Sequence, residues 1–260
     1  MKLLTIARDL QRRKAREKTR RFVVEGVRSV ESLLDSRLKV TGILAAPGLG
    51  NDIRGLAILA RAEQNNFPVL QVTDAEFASS ASTDTPQGVL AIAEIPEHVL
   101  ETPKASARYL VLDGVQDPGN VGTIIRSAMA FGVTATVCLP GTVDVWNAKV
   151  VRSTMGALFF HPVVQRSGVE LGEFFHTHKV ECWAADTEGM SLALVASVPA
   201  RLALVVSNEG AGLSTEAATL ATKRVSIAME YGVESLNVAV ATGILLYGLR
   251  LPLHASNASP

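Results

Sequence analysis

Cysteine is scarce in this chain. Cys138 and Cys182 are the whole supply among 260 residues, too few for a disulfide framework and suited to a reducing compartment as buried structural thiols. Long apolar runs are missing as well. No stretch of about 18 apolar residues occurs, so no membrane span is expected, and the basic, amphipathic N-terminus lacks the apolar core of a secretory signal. A cytoplasmic location is the resulting default.

Net charge is absent too, because 25 Lys and Arg balance 25 Asp and Glu. The balance is not local. Residues 1–28 hold ten basic residues (Lys2, Arg8, Arg12, Arg13, Lys14, Arg16, Lys18, Arg20, Arg21, Arg28) against Asp9, Glu17 and Glu25, and the rest of the chain carries the compensating acid. A basic segment on a neutral protein points to a polyanion, since phosphate neutralisation supplies most sequence-independent affinity for nucleic acid. A solvated, salt-bridged helix is the alternative reading of the same charges.

Several familiar chemical signatures are also missing. Gly114, Gly119 and Gly122 miss the dinucleotide-binding G-x-G-x-x-G spacing, and Gly119 is followed by Asn120-Val121 where a P-loop needs Lys-Ser/Thr. The order Gly210-Ala-Gly-Leu-Ser214 is not the G-x-S-x-G of a serine nucleophile elbow. His176 and His178 have no Cys or acidic cluster beside them in sequence, so no metal site is expected.

What is present is 48% hydrophobic residues, enough for one large domain or two modest ones. Residues 1–19 read as a basic helix. Short strands at Arg21–Glu25, Lys39–Ala45, Val69–Val72 and Gly88–Ala93 alternate with helices from Gly26 to Leu34 and from Asp52 to Gln64. That is a small α/β domain over residues 1–95. Residues 96–106 contain two prolines and few core residues, the signature of a linker.

The stretch 107–260 alternates again. Strands are expected at Tyr109–Leu112, Ala135–Leu139, Phe159–Val164, Val180–Ala184, Leu202–Val206 and Arg224–Ile227, with helices at Val121–Phe131, Val145–Thr154, Val169–His176, Ser214–Leu220 and Asn237–Leu251. Runs as apolar as Leu202-Ala-Leu-Val-Val206 indicate a parallel sheet buried on both faces.

Three segments in this half each take an apolar strand into a small-residue turn and then a helix. The first, Tyr109–Ala128, contains Asp117-Pro118-Gly119-Asn120 and Arg126. Asn120 suits the N-cap of the next helix as well as a functional role, and Arg126 falls among Ile124, Ile125, Ala128 and Met129, at the edge of the packed face. The second is Leu204–Ser214, with Ser207, Glu209, Gly210 and Gly212. The third joins Ser226–Met229 to Val233–Gly243, where Ser235 or Asn237 can cap a helix. Such loops expose backbone donors and acceptors that grip a small cofactor.

In order and spacing, these segments resemble the three motifs of the SpoU (TrmH-like) RNA ribose 2′-O-methyltransferases. The resemblance implies a trefoil-knotted (SPOUT) α/β methyltransferase domain with a parallel sheet at 107–260, acting as a homodimer. It implies S-adenosylmethionine as cofactor, held around Ser207, Gly210, Ile227, Met229, Ser235 and Leu236. Asn120, Arg126, Glu209 and Asn237 become the catalytic set. Arg20–Arg28 and Thr85–Ala91 resemble the L30e-like module with which the family binds RNA, and Lys149–Ala157 resembles the segment after its first motif, where Arg152 is either a phosphate contact or a surface charge.

Two positions depart from the family pattern. It commonly has Gly at Ser207 and Pro at Ala228, so altered cofactor affinity is expected without loss of the backbone groups. Ribosomal RNA is the expected substrate. Transfer RNA, a non-catalytic RNA-binding role for the same fold, and a small-molecule methyltransferase are the competing readings.

Overall fold

Two separate sheets account for the strands in the computed structural model, which describes residues 2–208, 210, 212–231 and 235–250. In chain order the elements begin α1 (Lys2–Asp9), α2 (Arg13–Thr19), β1 (Arg21–Glu25), α3 (Val27–Asp35), β2 (Val40–Ala45), α4 (Ile53–Gln64), β3 (Val69–Gln71), α5 (Asp74–Ala78) and β4 (Val89–Glu94). They continue with β5 (Ala107–Asp113), α6 (Pro118–Ala130), β6 (Ala135–Cys138), α7 (Ala148–Ser153), β7 (Val163–Gln165) and α8 (Gly168–His178). The last are β8 (Glu181–Ser191), β9 (Arg201–Ser207), α9 (Thr215–Leu220), β10 (Lys223–Ser226) and α10 (Val238–Gly248).

The chain forms two compact units, Met1–Glu97 with Asp144–Phe160, and His98–Val143 with His161–Pro260. The first is built on a mixed four-stranded sheet of order β1-β4-β2-β3, in which only β2 and β3 run parallel. Leu4 and Ala7 from α1, with Leu10 just after it, close one face of it over Val23, Leu44, Leu90 and Ile92. At roughly 1.5–3 kcal/mol per buried large aliphatic side chain, this apolar face is what fixes the basic N-terminus to the sheet.

The single helix expected over residues 1–19 is two helices. The break has a cause. Arg16 turns inward and its guanidinium donates to the carbonyls of Leu10 and Gln11, at 2.7 and 3.0 Å, while pairing with Asp144 Oδ2 at 2.6 Å. Those carbonyls are thereby satisfied by a side chain where a helix would have used amides.

Residues 144–160 group with the first unit, although they lie inside the stretch 107–260 that the sequence assigns to the second. Asp144 neutralises Arg16, and Trp146 and Phe159 pack on Phe22 with ring centroids 4.6 and 6.1 Å apart. Gly156 has φ +91°, and a Cβ there would lie 2.7 Å from the Cβ of Ser32 on α3, so glycine is required by both conformation and space. Arg152 Nη1 donates to Ser82 Oγ at 3.1 Å, and Ser82 in turn donates to the buried Glu25 carboxylate.

The second unit carries a six-stranded sheet of order β10-β8-β9-β5-β6-β7, parallel throughout. Of its central strands β5 is buried from end to end and β9 at every residue but its two ends, as their apolar sequences require. Tyr109, Val137, Leu171, Phe175 and Val205 lead the core on one side, and α6 and α10 pack against each other. Burial pushes the Cys182 thiol up to about 12, so it behaves as a small hydrophobe.

Two strands differ from expectation. The segment expected as a strand from Phe159 begins instead with a 3-10 turn at Ala157–Phe159, and pairing starts only at Val163, beside Thr136. Strand β8 runs on past Ala184 to Ser191, and β10 pairs with it at Trp183–Ala184 and again at Met190–Ser191. Residues 185–189 are thereby left out of the β10 ladder, and Gly189 is needed where they rejoin it, since a Cβ would meet Val225 N at 2.6 Å. The helix α5 is not among the helices expected from the sequence. A Thr73–Glu76 capping box starts it.

Candidate active site

The turns at the C-terminal ends of β9 and β10, with Ala185–Thr187 from the middle of β8, surround a cavity of about 230 Å³ in the second unit. Open parallel sheets bind ligands at this end of their strands. Ser207, the last residue of β9, lies on the wall. The next residue, Asn208, shapes the turn, because its Oδ1 accepts the Gly210 amide at 3.0 Å and its carbonyl accepts that of Gly212, also at 3.0 Å. Gly212 has φ +66°, a left-handed conformation that closes the turn and sets it and Leu213 on the wall. Ser214 then caps α9 by accepting the Ala217 amide.

Ile227 and Met229 extend the wall from β10, and Ser235 and Leu236 complete it before α10. Five of the six expected cofactor residues therefore line one cavity: Ser207, Ile227, Met229, Ser235 and Leu236. Gly210 does not line it and is exposed. Glu209 lies outside the described residues.

Asn237 caps α10 through its Oδ1, which accepts the amides of Ala239 and Val240. Its Nδ2 donates to Asn120 Oδ1 at 3.0 Å. Asn120 is not an N-cap. Asp117 holds that position on α6, accepting the Asn120 amide at 2.7 Å, with Pro118 in the first turn. The capping explanation for Asn120 is thereby removed, and its side chain reaches across to the third motif. Arg126, two turns further along α6, is exposed and pairs with no carboxylate among the described residues. It does not line the cavity.

Ala185, Asp186 and Thr187 also line the cavity and were missed by sequence reasoning. They belong to the residues that leave the β10 ladder, an irregularity of pairing that no local sequence pattern announces. Asp186 is held in place by Arg224 Nη1 at 2.7 Å and by the Glu188 amide at 3.0 Å. Ala241 and Leu245, from the cavity-facing side of α10, supply apolar wall.

The chemistry of this lining suits an adenosyl group. Leu213, Ile227, Leu236 and Leu245 offer apolar contact to a flat base, while Ser207, Asn208, Ser235 and Asp186 bring polar atoms to the same wall. The volume of about 230 Å³ lies just below the roughly 300–1,000 Å³ typical of drug-sized ligand sites.

This architecture is the SPOUT α/β methyltransferase fold. A family model described as SpoU rRNA Methylase family matches residues 107–247, and one described as MRM3-like substrate binding domain matches residues 5–91. The chain belongs to the SpoU rRNA methylase family. It is 32% identical over 243 residues to the 23S rRNA (guanosine(2553)-2′-O)-methyltransferase RlmP of Bacillus subtilis (strain 168), covering 94% of each chain. An AdoMet-bound rRNA methyltransferase from Sinorhizobium meliloti superposes with a TM-score of 0.83 at 29% identity, over 95% of this chain and 93% of that one. The SpoU methyltransferase AviRb from Streptomyces viridochromogenes, in complex with AdoMet, gives a TM-score of 0.82 at 26% identity, over 95% and 96%.

Proposed function

We propose that this protein transfers the methyl group of S-adenosylmethionine to a ribose 2′-hydroxyl of ribosomal RNA. The observation that carries the reading is the Asn237–Asn120 hydrogen bond, which ties the first turn of α6 to the loop that lines the cavity. Family membership and the AdoMet-bound relatives support the choice of cofactor. When bound, the cofactor supplies a methyl group already activated by its sulfonium. The protein's share of the work is orientation. Asn120 and Asn237 hold the two motifs in register, and Arg126 holds the target phosphate and ribose by donating to them. A guanidinium stays protonated at any ordinary pH and is poorly suited to accept the hydroxyl proton. Glu209 belongs to the same reading as a partner for Arg126 and the ribose.

The first unit is the RNA-binding part of this reading, supported by the match over residues 5–91 and by the exposed Lys14, Lys18, Arg20 and Arg28. The knot of the fold and a homodimer complete it. Val240, Ile244 and Tyr247 make an exposed apolar stripe on α10, and Met129 on α6 is exposed as well, one turn beyond Arg126. A second copy seated on that stripe covers it and stands beside Arg126. Labelled methyl transfer to ribosomal and transfer RNA tests the function: label in ribosomal RNA that vanishes with Arg126→Ala is the expected result, and RNA binding without transfer to either RNA overturns it.

A further inference from the structure

We infer that Asp113 is a positioning residue for the cofactor site, holding both feet of the turn that follows β9. Asp113 ends β5, pairs in parallel register with Ser207, and is only 4% exposed. Its carbonyl accepts the Asn208 amide at 3.3 Å, where the turn begins. Its carboxylate Oδ2 accepts the Ser214 amide at 2.7 Å, where the turn ends. Asn208 itself, and Gly212 and Leu213 between the two bonds, are on the cavity wall.

The carboxylate has no cationic partner among the described residues. A buried carboxylate without a counter-ion is costly to keep, and a charge-assisted bond to a single amide is short and directional. The geometry therefore assigns the side chain a task that an apolar residue at the end of a buried strand cannot perform. It ties Ser214 to the end of β5 beside Ser207, and with it the placement of Leu213 on the cavity wall. The next residue, Gly114, has φ +64° and turns the chain away toward Asp117 and Asn120. One residue thus stands where the first and second motifs diverge.

The inference rests on the proposed cofactor reading for its effect on binding, but not for the bond itself. Two measurements separate them. Amide exchange at Ser214 reports the bond directly: Asp113→Ala loses protection there, Asp113→Asn retains most of it because a neutral oxygen still accepts, and the amides of β5 and β9 stay protected in both. Unchanged exchange at Ser214 in Asp113→Ala overturns the inference. Calorimetric titration with S-adenosylmethionine reports the consequence, with affinity falling about tenfold in Asp113→Ala and less than threefold in Asp113→Asn, the range for losing a hydrogen bond to a charged group. Equal affinity in all three proteins overturns the positioning role.

Should Asp113→Ala fail to fold, Ser214→Pro deletes the same bond from the donor side. Its φ of −64° already suits proline, and Ser214→Ala controls for the lost cap. Weaker binding in Ser214→Pro than in Ser214→Ala supports the inference, and equal binding overturns it. If the wild type binds no cofactor, the functional reading fails and exchange at Ser214 alone decides the role of Asp113.

Discussion

Asn237 uses both ends of its amide, accepting the Ala239 and Val240 N–H groups through Oδ1 and donating through Nδ2 to Asn120 Oδ1 at 3.0 Å. The cap fixes which way the Asn237 amide points, and the cross-bond fixes Asn120 in turn. Asn120 Nδ2 is then the end of that amide left to donate. The order of dependence runs from helix cap to cross-bond to site.

Asn237→Asp separates these roles. Aspartate caps a helix as well as asparagine but has no Nδ2 to donate. We expect the melting temperature to stay within a degree or two of wild type while kcat for methyl transfer falls by about tenfold or more, the scale of one misplaced hydrogen bond. Asn237→Ala loses the cap as well and costs about 1 kcal/mol of stability. Denaturation curves and steady-state rates on the same preparations decide. Unchanged kcat in Asn237→Asp removes the cross-bond from the mechanism.

Arg126 invites a different comparison. Exposed and unpaired among the described residues, it contributes little to the fold, so Arg126→Ala and Arg126→Lys should leave stability within about 0.5 kcal/mol. A guanidinium presents a planar fork to phosphate and an ammonium does not. If Arg126 holds RNA by that fork, Arg126→Lys lowers kcat/KM by roughly tenfold and Arg126→Ala by a hundredfold or more, with the pH–rate profile unchanged in shape for Lys. A new titrating limb in Arg126→Lys instead identifies this position with proton transfer.

The stripe Val240, Ile244 and Tyr247 leaves three large apolar side chains in water, Val240 and Tyr247 at 51% and 56% exposure. Covered by a second copy, they make a charge at Ile244 disruptive. Ile244→Glu is expected to run as a monomer in light scattering at concentrations where the wild type is a dimer, and to lose activity with it. A monomeric wild type with full activity rejects the dimer.

Much of this was legible in the sequence because it depends on local chemistry. The buried strands β5 and β9 announce themselves by continuous apolar residues, and the turns before α9 and α10 by their glycines and caps. What escaped depends on partners distant in sequence. The break after α1 is made by Arg16 and stabilised by Asp144, 128 residues away. The cavity residues Ala185–Thr187 are placed by a gap in the pairing of β8 with β10. By sequence Asn120 suits a cap as well as a functional role, because an asparagine after Pro-Gly fits either, and only the Asp117 carboxylate, bonded to the Asn120 amide, takes the cap position away from it.

The Arg16–Asp144 pair carries a stability prediction. Both side chains are nearly buried, at 6% and 13% exposure, and Arg16 also satisfies two carbonyls. Asp144→Asn leaves the guanidinium without its counter-charge and should cost roughly 3–5 kcal/mol. Adding Arg16→Met should cost less than the two single changes together, because the uncompensated charge has gone. Urea unfolding of the four proteins measures the coupling, and strict additivity contradicts a buried ion pair.

Acid acts on a buried imidazole in the second unit. His161 is 3% exposed, with Nε2 and Thr136 Oγ1 2.8 Å apart. Burial, reinforced by the nearby His98, lowers its pKa from 6.5 to about 4. In the unfolded chain it titrates near its ordinary value, so between about pH 6.5 and 4 the unfolded state binds a proton that the folded state refuses. Stability from the neutral imidazole is therefore complete above pH 6.5 and is lost as the pH falls toward 4, by up to roughly 3 kcal/mol. Carboxylates titrate in part of the same window, so the useful quantity is the difference between wild type and His161→Gln, which keeps an amide within reach of Thr136 and cannot charge. We expect the variant to be less stable at pH 7.5, where the imidazole packs best, and the gap to narrow or reverse by pH 4.5. Parallel stability curves across that range would show that His161 is protonated inside the folded protein as easily as outside it.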